Sequence, residues 1–435
     1  MLSAFGRAFT TPDLRRKLLF TLSIIVLYRL GTFIPAPGVD YGNVQRCLDL
    51  GKTSGGIYDI INLFSGGALL QLSIFALGVM PYITASIITQ LLRVVIPRFQ
   101  ELHQEGGQGQ QKLNQYTRYL TIALAALNAT TIISLARSGA LLNCPLPLIP
   151  DDSWYMIVMM IITLTAGTGI IMWLGEQITE RGVGNGMSLL IFTSIAASFP
   201  SALGSIITTQ GWGIFAIIAA IGLLVIIAVV FVEQSQRRIP VQYAKRMVGR
   251  RTIGGTSTYI PLKINMAGVI PVIFASSLLT LPGLLAQFAA PKDGGSAPAW
   301  VTWIESYLIR GDHPIYMVLY FLMIVGFTYF YASITFNPQE VSDNMKKYGG
   351  FIPGIRAGQP TERYLAFVLN RITLPGSLYL GIVAMIPLIA LVMVDANQNF
   401  PFGGTSLLIV VGVGLDTVKQ IDAQLQQRHY EGLLR

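Results

Sequence analysis

Residues 182–232 read GVGNGMSLLIFTSIAASFPSALGSIITTQGWGIFAIIAAIGLLVIIAVVFV, a run of 51 residues without a Lys, Arg, Asp or Glu. A membrane-spanning helix needs about 20 apolar residues, so the run is too long for one span and long enough for two. Pro200, Gly204 and the TTQGWG sequence at 208–213 predict a turn inside it. The stretch therefore predicts two consecutive transmembrane helices.

The other spans follow from the same criterion, because a charged side chain is costly at bilayer depth. Segment 18–34 is interrupted only by Arg29, whose guanidinium can reach the interface from near a helix end. Charge-free stretches predict the remaining spans at 60–92, 119–136, 153–175, 264–291, 313–339, 372–394 and 396–415. The sequence thus predicts an all-α polytopic membrane protein with ten transmembrane helices.

The composition agrees with this fold class. Of 435 residues, 52% are hydrophobic and 12% are charged, against roughly 25% charged in an ordinary soluble domain. This balance excludes a soluble enzyme. The two cysteines, Cys47 and Cys144, are too few for a disulfide scaffold, and the sequence leaves open whether they pair.

The Lys and Arg residues of the loops predict the orientation of the chain. With ten spans, both termini lie on one side, and the loops of that side hold 24 of the 30 basic residues. The five opposite loops hold 5, and Arg29 lies within a span. Both termini are therefore expected in the cytoplasm. No cleavage site follows segment 18–34, so it is expected to remain as a helix.

The stretch 60–92 is too long for one helix across the bilayer. At 1.5 Å per residue its 33 residues would span roughly 50 Å, against a hydrocarbon core of about 30 Å. Gly66 and Gly67 predict a break between a short half-helix on the outer side and a full span beginning near Ser73. Irregular backbone at that depth points to a central cavity, although a helix resting on the outer face is an alternative.

Chemical motifs are scarce. Gly51-Lys52-Thr53 resembles the end of a Walker A loop, but Arg46 stands where its first glycine belongs. The three histidines lie too far apart for a local metal motif, and the spans contain no carboxylate or histidine relay of the kind that ion-driven transporters use. The sequence thus predicts no catalytic residue, cofactor or metal site, and no enzyme.

Two loops on the cytoplasmic side are strongly basic. The loop 233–263 has seven basic residues and one acid, with alternating patterns that predict a two-stranded projection with Arg250 and Arg251 at its tip. In the loop 337–365, Lys346 and Lys347 precede a Pro- and Gly-bracketed turn that should expose Arg356. Some of these charges only fix the topology. A single-sign cluster on a folded projection also predicts an anionic partner, either ribosomal RNA or an acidic protein surface.

Several long motifs closely resemble the SecY family, whose members form the central channel subunit of the bacterial Sec protein translocase. The resemblance covers essentially the whole chain. It is carried by SIFALGVMPYITASIITQ (73–90), WLGEQITERGVGNGMSLLIF (173–192), NMAGVIPVIFASS (265–277), FNPQEVSDNMKK (336–347), FIPGIRAGQ (351–359) and FGGTSLLIVV (402–411).

The resemblance implies two inverted, pseudo-symmetric five-helix halves, 1–210 and 211–435, around an hourglass pore. The half-helix near 57–70 would be a plug on the outer side, centred on Ile60, Ile61, Asn62, Leu63, Phe64, Ser65, Gly66 and Gly67. The constriction would be an apolar pore ring of Val79, Ile83, Met187, Ile191, Ile273 and Ile409. The family favours isoleucine at these positions, and Val79 and Met187 depart from that pattern.

A lateral gate between spans 2 and 3 and spans 7 and 8 is likewise implied, with Gln90, Asn128 and Asn265 as its polar residues. The basic residues Arg250, Arg251, Lys346, Lys347 and Arg356 would dock the SecA motor ATPase or a translating ribosome. SecE and SecG would be partner subunits, with secretory and membrane proteins bearing signal sequences as substrates and membrane lipids around them. The location implied is the bacterial plasma (inner) membrane, and the function is polypeptide passage and lateral release into lipid. The alternative is a secondary transporter of a small solute, which also suits inverted repeats and a broken helix.

Overall fold

A computed structural model describes residues 11–50, 67–137, 147–151, 153–243, 246–248, 251–253, 257–289, 298–309, 313–394 and 404–431. The helices, in chain order, are α1 (Pro12–Thr32), α2 (Tyr41–Leu50), α3 (Met80–Val95), α4 (Pro97–Gln104), α5 (Gly107–Arg137), α6 (Trp154–Arg181), α7 (Gly186–Gln234), α8 (Ile270–Ala289), α9 (Ala299–Ile304), α10 (Pro314–Thr335), α11 (Pro338–Lys347), α12 (Gln359–Val394) and α13 (Gly404–Glu431). A π-helical turn, Glu305–Ile309, follows α9.

Each predicted span coincides with a helix of this order: α1, α3, α5, α6, the two parts of α7, α8, α10, α12 and α13. Within the described ranges, five helices are long and apolar enough to cross a membrane by themselves. A sixth candidate is the pair α3 and α4, which bends by 102°. The order of the helices therefore confirms the ten-span prediction. Length and hydropathy, applied to single helices within the described ranges, identify five of the ten spans.

Helix α7 contains most of the charge-free run 182–232. Gly211 interrupts it with φ 81° and ψ 172°, outside the helical region and on the side of the Ramachandran plot that favours glycine. Pro200 lies inside the helix, ahead of that break. The predicted turn is thus confirmed within the TTQGWG sequence, and two spans follow each other without an intervening loop.

The segment 67–79 differs from the prediction that a span begins near Ser73. It runs as successive turns, and the helix α3 begins only at Met80. Positive φ angles at Gly67, Leu72 and Gly78 keep the backbone out of the helical region. Instead of joining a helix, Ser73 forms a bridge with Pro35. The charge pattern could not show this, because an apolar turn and an apolar helix are equally free of charge.

Neighbouring backbone forms hydrogen bonds with backbone groups of this irregular segment. The Ala36 amide donates to the Leu72 carbonyl at 2.9 Å, and the Ile74 amide donates to the Ile34 carbonyl at 2.9 Å. A Cβ added at Gly167 of α6 would lie 2.1 Å from the Ile74 carbonyl oxygen, so only glycine permits this close approach. The segment is therefore buried in protein, as non-helical backbone at membrane depth must be.

The basic loop after α7 folds into strands β1 (Gln236–Tyr243), β2 (Arg246–Val248), β3 (Arg251–Ile253) and β4 (Ser257–Lys263). β1 pairs with β4 in antiparallel register from Gln236 opposite Lys263 to Gln242 opposite Ser257, and β2 pairs with β3. The predicted projection is thus confirmed. A further strand, β5 (Gly350–Phe351), pairs with β1 and joins the second basic loop to the first. We call the side of the membrane that carries β1–β5 the projection side.

Candidate functional site

The six residues of the predicted pore ring lie in one apolar cluster, which we call the collar. Four helices contribute to it: Val79 caps α3, which carries Ile83; Met187 and Ile191 lie on α7; Ile273 lies on α8; and Ile409 lies on α13. Five of the six are buried, and Ile83 is half-buried. The structure therefore brings together side chains that are up to 330 positions apart in the chain, from 79 to 409.

Local sequence explains how two of these helices present their collar residues. Met187 and Ile191 are four residues apart on α7, and so they lie on the same helix face. Asn185 caps this helix, and its side-chain oxygen accepts from the Met187 amide at 3.2 Å. The Met187 sulfur packs on Gly175 of α6, where an added Cβ would lie 2.5 Å from it. The absence of a side chain at Gly175 thus makes room for methionine at a position where the family favours isoleucine.

The polar residue Gln90 lies in an apolar contact between α3, α8 and α10, which we call the seam. Its side-chain oxygen accepts a hydrogen bond from the hydroxyl of Tyr331 on α10. The apolar residues of the seam are Ile83, Ile87, Leu91, Ala267, Phe274, Phe327 and Phe330. Phe274 and Phe327 stack with ring centroids 5.0 Å apart. In this structure the seam is closed by aromatic packing and by one hydrogen bond across it.

The other two predicted gate residues are placed differently. Asn128 lies half-buried on α5, and its side chain makes no hydrogen bond within the described part of the chain. Asn265 is not on a gate helix as expected, because α8 begins five residues later, at Ile270. It is 3% exposed and bonds to Glu233 at the end of α7. Helix α5 contacts α3 through a hydrogen bond of 3.1 Å between the hydroxyls of Thr117 and Thr89.

The basic residues of the two loops are carried by segments that pack together. Lys346 and Lys347 are exposed at the end of α11, and Arg356 is exposed on the predicted turn, where the Thr361 hydroxyl donates to its carbonyl. Behind them, one apolar cluster joins both loops through Ile239, Val241, Leu262, Met345, Ile352, Leu365, Val368 and Ile372. Arg250 lies outside the described residues, and so does the side chain of Arg251, although its backbone belongs to β3.

The plug prediction, 57–70, falls mostly outside the described residues, since 51–66 are among the gaps. Its described end, 67–70, runs as turns and not as the expected half-helix. On the same side, Cys47 of α2 is buried and disulfide-bonded. Cys144 is the second cysteine of the sequence and lies outside the described residues. Among the residues that are described, no group of three or more His, Cys, Asp or Glu could hold a metal ion.

Sequence reasoning missed three polar partners. Tyr331, the partner of Gln90, is one aromatic residue among many in its span. Glu233, the partner of Asn265, resembled a loop charge. Tyr28 of α1 and Ser194 of α7 share a buried hydrogen bond of 2.7 Å beside the collar. A polar atom inside a span indicates that a partner exists, but which partner it has depends on the tertiary fold.

A family model described as SecY matches residues 73–418. The chain belongs to the SecY family. It is 66% identical to the protein translocase subunit SecY of Micrococcus luteus and 63% identical to that of Streptomyces galbus, in both cases over 100% of each chain. The matched region contains the whole collar, the seam and both basic loops.

Solved structures of low identity share the SecY fold. One is described as the structure of a protein conducting channel; it has a TM-score of 0.61 and 21% identity, and the match covers 93% of this chain and 91% of that one. Another is Sec61 in the canine ribosome-channel complex, with a TM-score of 0.59, 20% identity and the same coverage. The chain is thus a multi-pass membrane protein with the helical channel architecture.

Proposed function

We propose that this SecY-family chain is the channel subunit through which unfolded secretory polypeptides cross the membrane, and that it performs no bond chemistry itself. The collar is the observation that carries the proposal. A narrow ring of aliphatic side chains sheds water and resists ion flow, while its flexible members can deform around a passing chain. The name of the Micrococcus luteus relative, a protein translocase subunit, supports this assignment.

The path of the polypeptide is tested by crosslinking. Single cysteines replace Val79, Ile83, Ile191 and Ile273, and a secretory chain stalled in transit carries one cysteine that can form a disulfide with them under an added oxidant. All four collar positions are expected to label. The matched control is a cysteine at Leu224 of α7, which is 68% exposed on the outer surface of the helix. Labelling at Leu224 without labelling of the collar would overturn the proposal.

A small-solute transporter is the second candidate, and the placement of charge disfavours it. The spans that build the collar carry no Lys, Arg, Asp or Glu in the stretches 60–92, 182–232, 264–291 and 396–415. Two described ion pairs, Arg118 with Glu176 and Lys263 with Asp416, lie directly at the ends of charge-free stretches and not within them. Ion-coupled transport uses charged groups near the midplane. Uphill accumulation of a metabolite in reconstituted vesicles would support the transporter instead.

We further propose that the seam is a lateral gate that releases hydrophobic segments into lipid. Two properties support this role: the seam separates α3 from α8 and α10, and one hydrogen bond closes it. The apolar core of a signal sequence, about 7 to 15 residues, can replace the aromatic contacts between Phe274 and Phe327. Asn128 on the neighbouring α5 is assigned to the same gate.

The basic surface is proposed to dock the SecA motor ATPase or a translating ribosome. Its support is the exposure of Lys346, Lys347 and Arg356 on a loop fixed by β5 and by the apolar cluster behind it. Arg250 and Arg251 at the tip of the projection are assigned to it by the sequence. SecE and SecG are proposed as bracing subunits, and the plug at 57–70 is proposed as an outer-side closure.

The orientation proposed places both termini in the cytoplasm of a bacterium and the channel in its plasma membrane. The Lys and Arg distribution supports it, as does Cys47, because disulfides persist on the oxidising side of the membrane. The proposed halves, 1–210 and 211–435, meet where Gly211 interrupts α7. A cysteine introduced at Tyr41 of α2, which is 45% exposed, tests the orientation. We expect a membrane-impermeant thiol reagent to label it from outside intact cells, and an absence of labelling contradicts the orientation.

A further inference from the structure

The projection joins the membrane at a compact polar junction. β1 begins two residues after α7 ends, and β4 ends seven residues before α8 begins. The start of β1 and the end of β4 are paired next to the membrane helices. Gln236 lies opposite Lys263, and the Ile264 amide donates to the Ser235 carbonyl at 3.2 Å. Any displacement of the projection must therefore pass through this junction before it reaches α8.

Asn265 is the centre of the junction. Its side-chain nitrogen donates to the Glu233 carboxylate at 2.6 Å and to the Gly268 carbonyl at 3.1 Å. One amide thus links the end of α7 to the turn that starts α8. The bond to Glu233 has an ionised acceptor, and such bonds are shorter and stronger than neutral ones.

The junction rests directly on two further helices. A Cβ added at Gly376 of α12 would lie 2.3 Å from the Ile264 carbonyl oxygen, so α12 lies against the backbone beside Asn265. The Lys263 ammonium lies 3.5 Å from the Asp416 carboxylate of α13. Eight residues beyond Asn265, Ile273 enters the collar, and Phe274 enters the seam. A movement of the junction therefore displaces the collar residue Ile273 and the seam residue Phe274 together, because both lie on α8.

Two polar atoms of the junction have no partner within the described residues. They are the Asn265 side-chain oxygen and the Tyr379 hydroxyl of α12, and both are buried. Tyr379 interacts electrostatically with Glu233, so the two groups lie in the same neighbourhood. Within the described residues, Tyr379 therefore lies beside the pair without bonding to it.

We propose that Glu233 and Asn265 are a positioning pair that couples the docking projection to the gate helix α8. The inference rests on the proposed function, and it assigns these two residues no contact with the translocating chain. While the pair is bonded, the start of α8 stays fixed to the end of α7, and the seam stays closed. When a partner binds the projection, the membrane-proximal ends of β1 and β4 move. This movement breaks the hydrogen bond between Glu233 and Asn265, and α8 can then shift.

The test reverses which side chain of the Glu233–Asn265 pair donates the hydrogen bond and which accepts it. Asn265→Asp removes the donor and opposes two carboxylates, while the double variant Asn265→Asp with Glu233→Gln restores a donor and an acceptor with reversed roles. Cysteines at Leu91 and Phe330 report closure of the seam by crosslinking. The measurement is the ratio of crosslinking in the resting channel to crosslinking with the motor ATPase and a precursor bound.

Asn265→Asp is expected to lower that ratio about tenfold, towards one, because a hydrogen bond to a charged group is lost. The double variant is expected to recover part of the ratio, because it restores the bond between positions 233 and 265 but not the bond to the Gly268 carbonyl. Tyr379→Phe is the matched control, and it should leave the ratio unchanged because its hydroxyl has no partner among the described residues. A purely structural role would lower the amount of protein without changing the ratio.

Three outcomes separate the hypotheses. An unchanged ratio in Asn265→Asp, or no recovery in the double variant, overturns the positioning role. A seam that stays closed in the unmodified channel with motor and precursor bound overturns the proposed gate instead. If Asn265→Asp does not accumulate, Glu233→Gln alone decides, since the loss of its charge is expected to lower the ratio about threefold, and an unchanged ratio contradicts the proposal.

Discussion

The collar and the basic surface are built by opposite means. In the collar, six apolar side chains from four helices converge, and none of the six carries a charge. On the basic surface, charged side chains such as Arg356 extend into solvent, and buried residues such as Ile352 behind them fix the backbone. One region acts by shape and the absence of charge, the other by the sign and place of charge. The collar should therefore tolerate aliphatic exchange but not charge, and the surface should not tolerate reversal of its charge.

The largest effect is expected from a charge in the collar. Ile191→Asp buries a carboxylate at a position that is 5% exposed, and it should destabilise the closed channel by about 3 kcal/mol or more. We expect ion conductance of the resting channel in planar bilayers to rise. Ile191→Leu is the control and should cost less than about 1.5 kcal/mol without a rise in conductance. If the Ile191→Asp channel is as stable as the unmodified channel and its resting conductance does not rise, this side chain does not line the constriction.

Charge reversal on the basic surface is next. Arg356→Glu should weaken docking of the motor by about 2 kcal/mol or more, roughly a thirtyfold loss, because an arginine in a docking surface is a frequent hot spot. Precursor import into membrane vesicles, with motor binding measured in parallel, checks this. Arg98→Glu on α4, also exposed, is the matched control and should dock normally. Equal loss in both variants would mean that net charge, and not a defined surface, recruits the motor.

The seam lies between these extremes, because it is apolar apart from one hydrogen bond. Tyr331→Phe removes the donor to Gln90 and leaves a half-buried amide oxygen without it, at a cost of about 1.5 kcal/mol to the closed state. The variant should accept precursors with weaker signal sequences, measured as export of a reporter with a shortened apolar core. Tyr329→Phe in the same helix is the control. If export of the reporter is the same in both variants, this hydrogen bond does not set the threshold of the gate.

The smallest effect is expected from aliphatic exchange in the collar. Ile409→Val removes one methylene group from a side chain that is 1% exposed, which costs about 1 kcal/mol. Thermal unfolding of the purified channel should register this loss, while translocation and resting conductance remain unchanged. A large functional defect in Ile409→Val would mean that the collar requires specific side chains, and the contrast with the basic surface would disappear.

The spans were predictable because charge is excluded from the bilayer, and each charge-free stretch therefore contains a helix or part of one. The same rule underestimates helix length where a helix leaves the membrane. Helix α5 begins at Gly107 and not near 119, and α12 begins at Gln359 and not near 372. These first turns carry charged residues such as Lys112 and Arg363, which water solvates as readily in a helix as in a loop. Composition alone therefore cannot distinguish a helix that extends into water from a loop.

The collar positions came from motif resemblance, and the structure shows them in one cluster. Residue pairs were harder to predict than single residues. Gln90 was identified as polar within a span, but its partner Tyr331 is 241 positions away, and no local pattern connects the two. Asn265 was placed on a helix because its stretch is apolar, although Gly268, with φ 63°, delays the helix until Ile270. Long-range pairing and backbone turns are decided by packing.

The disulfide at Cys47 also constrains the order in which the molecule is made. The sequence offers this residue one intramolecular partner, Cys144, which lies 144 − 47 = 97 positions later. Two spans, α3 and α5, separate the two cysteines, and α1 precedes Cys47. In the proposed orientation, a bond to Cys144 would form only after all three spans have been inserted and the second thiol has reached the oxidising side of the membrane. The proposed orientation thus makes this disulfide a covalent step that depends on extracytoplasmic thiol oxidation and follows the first three insertions.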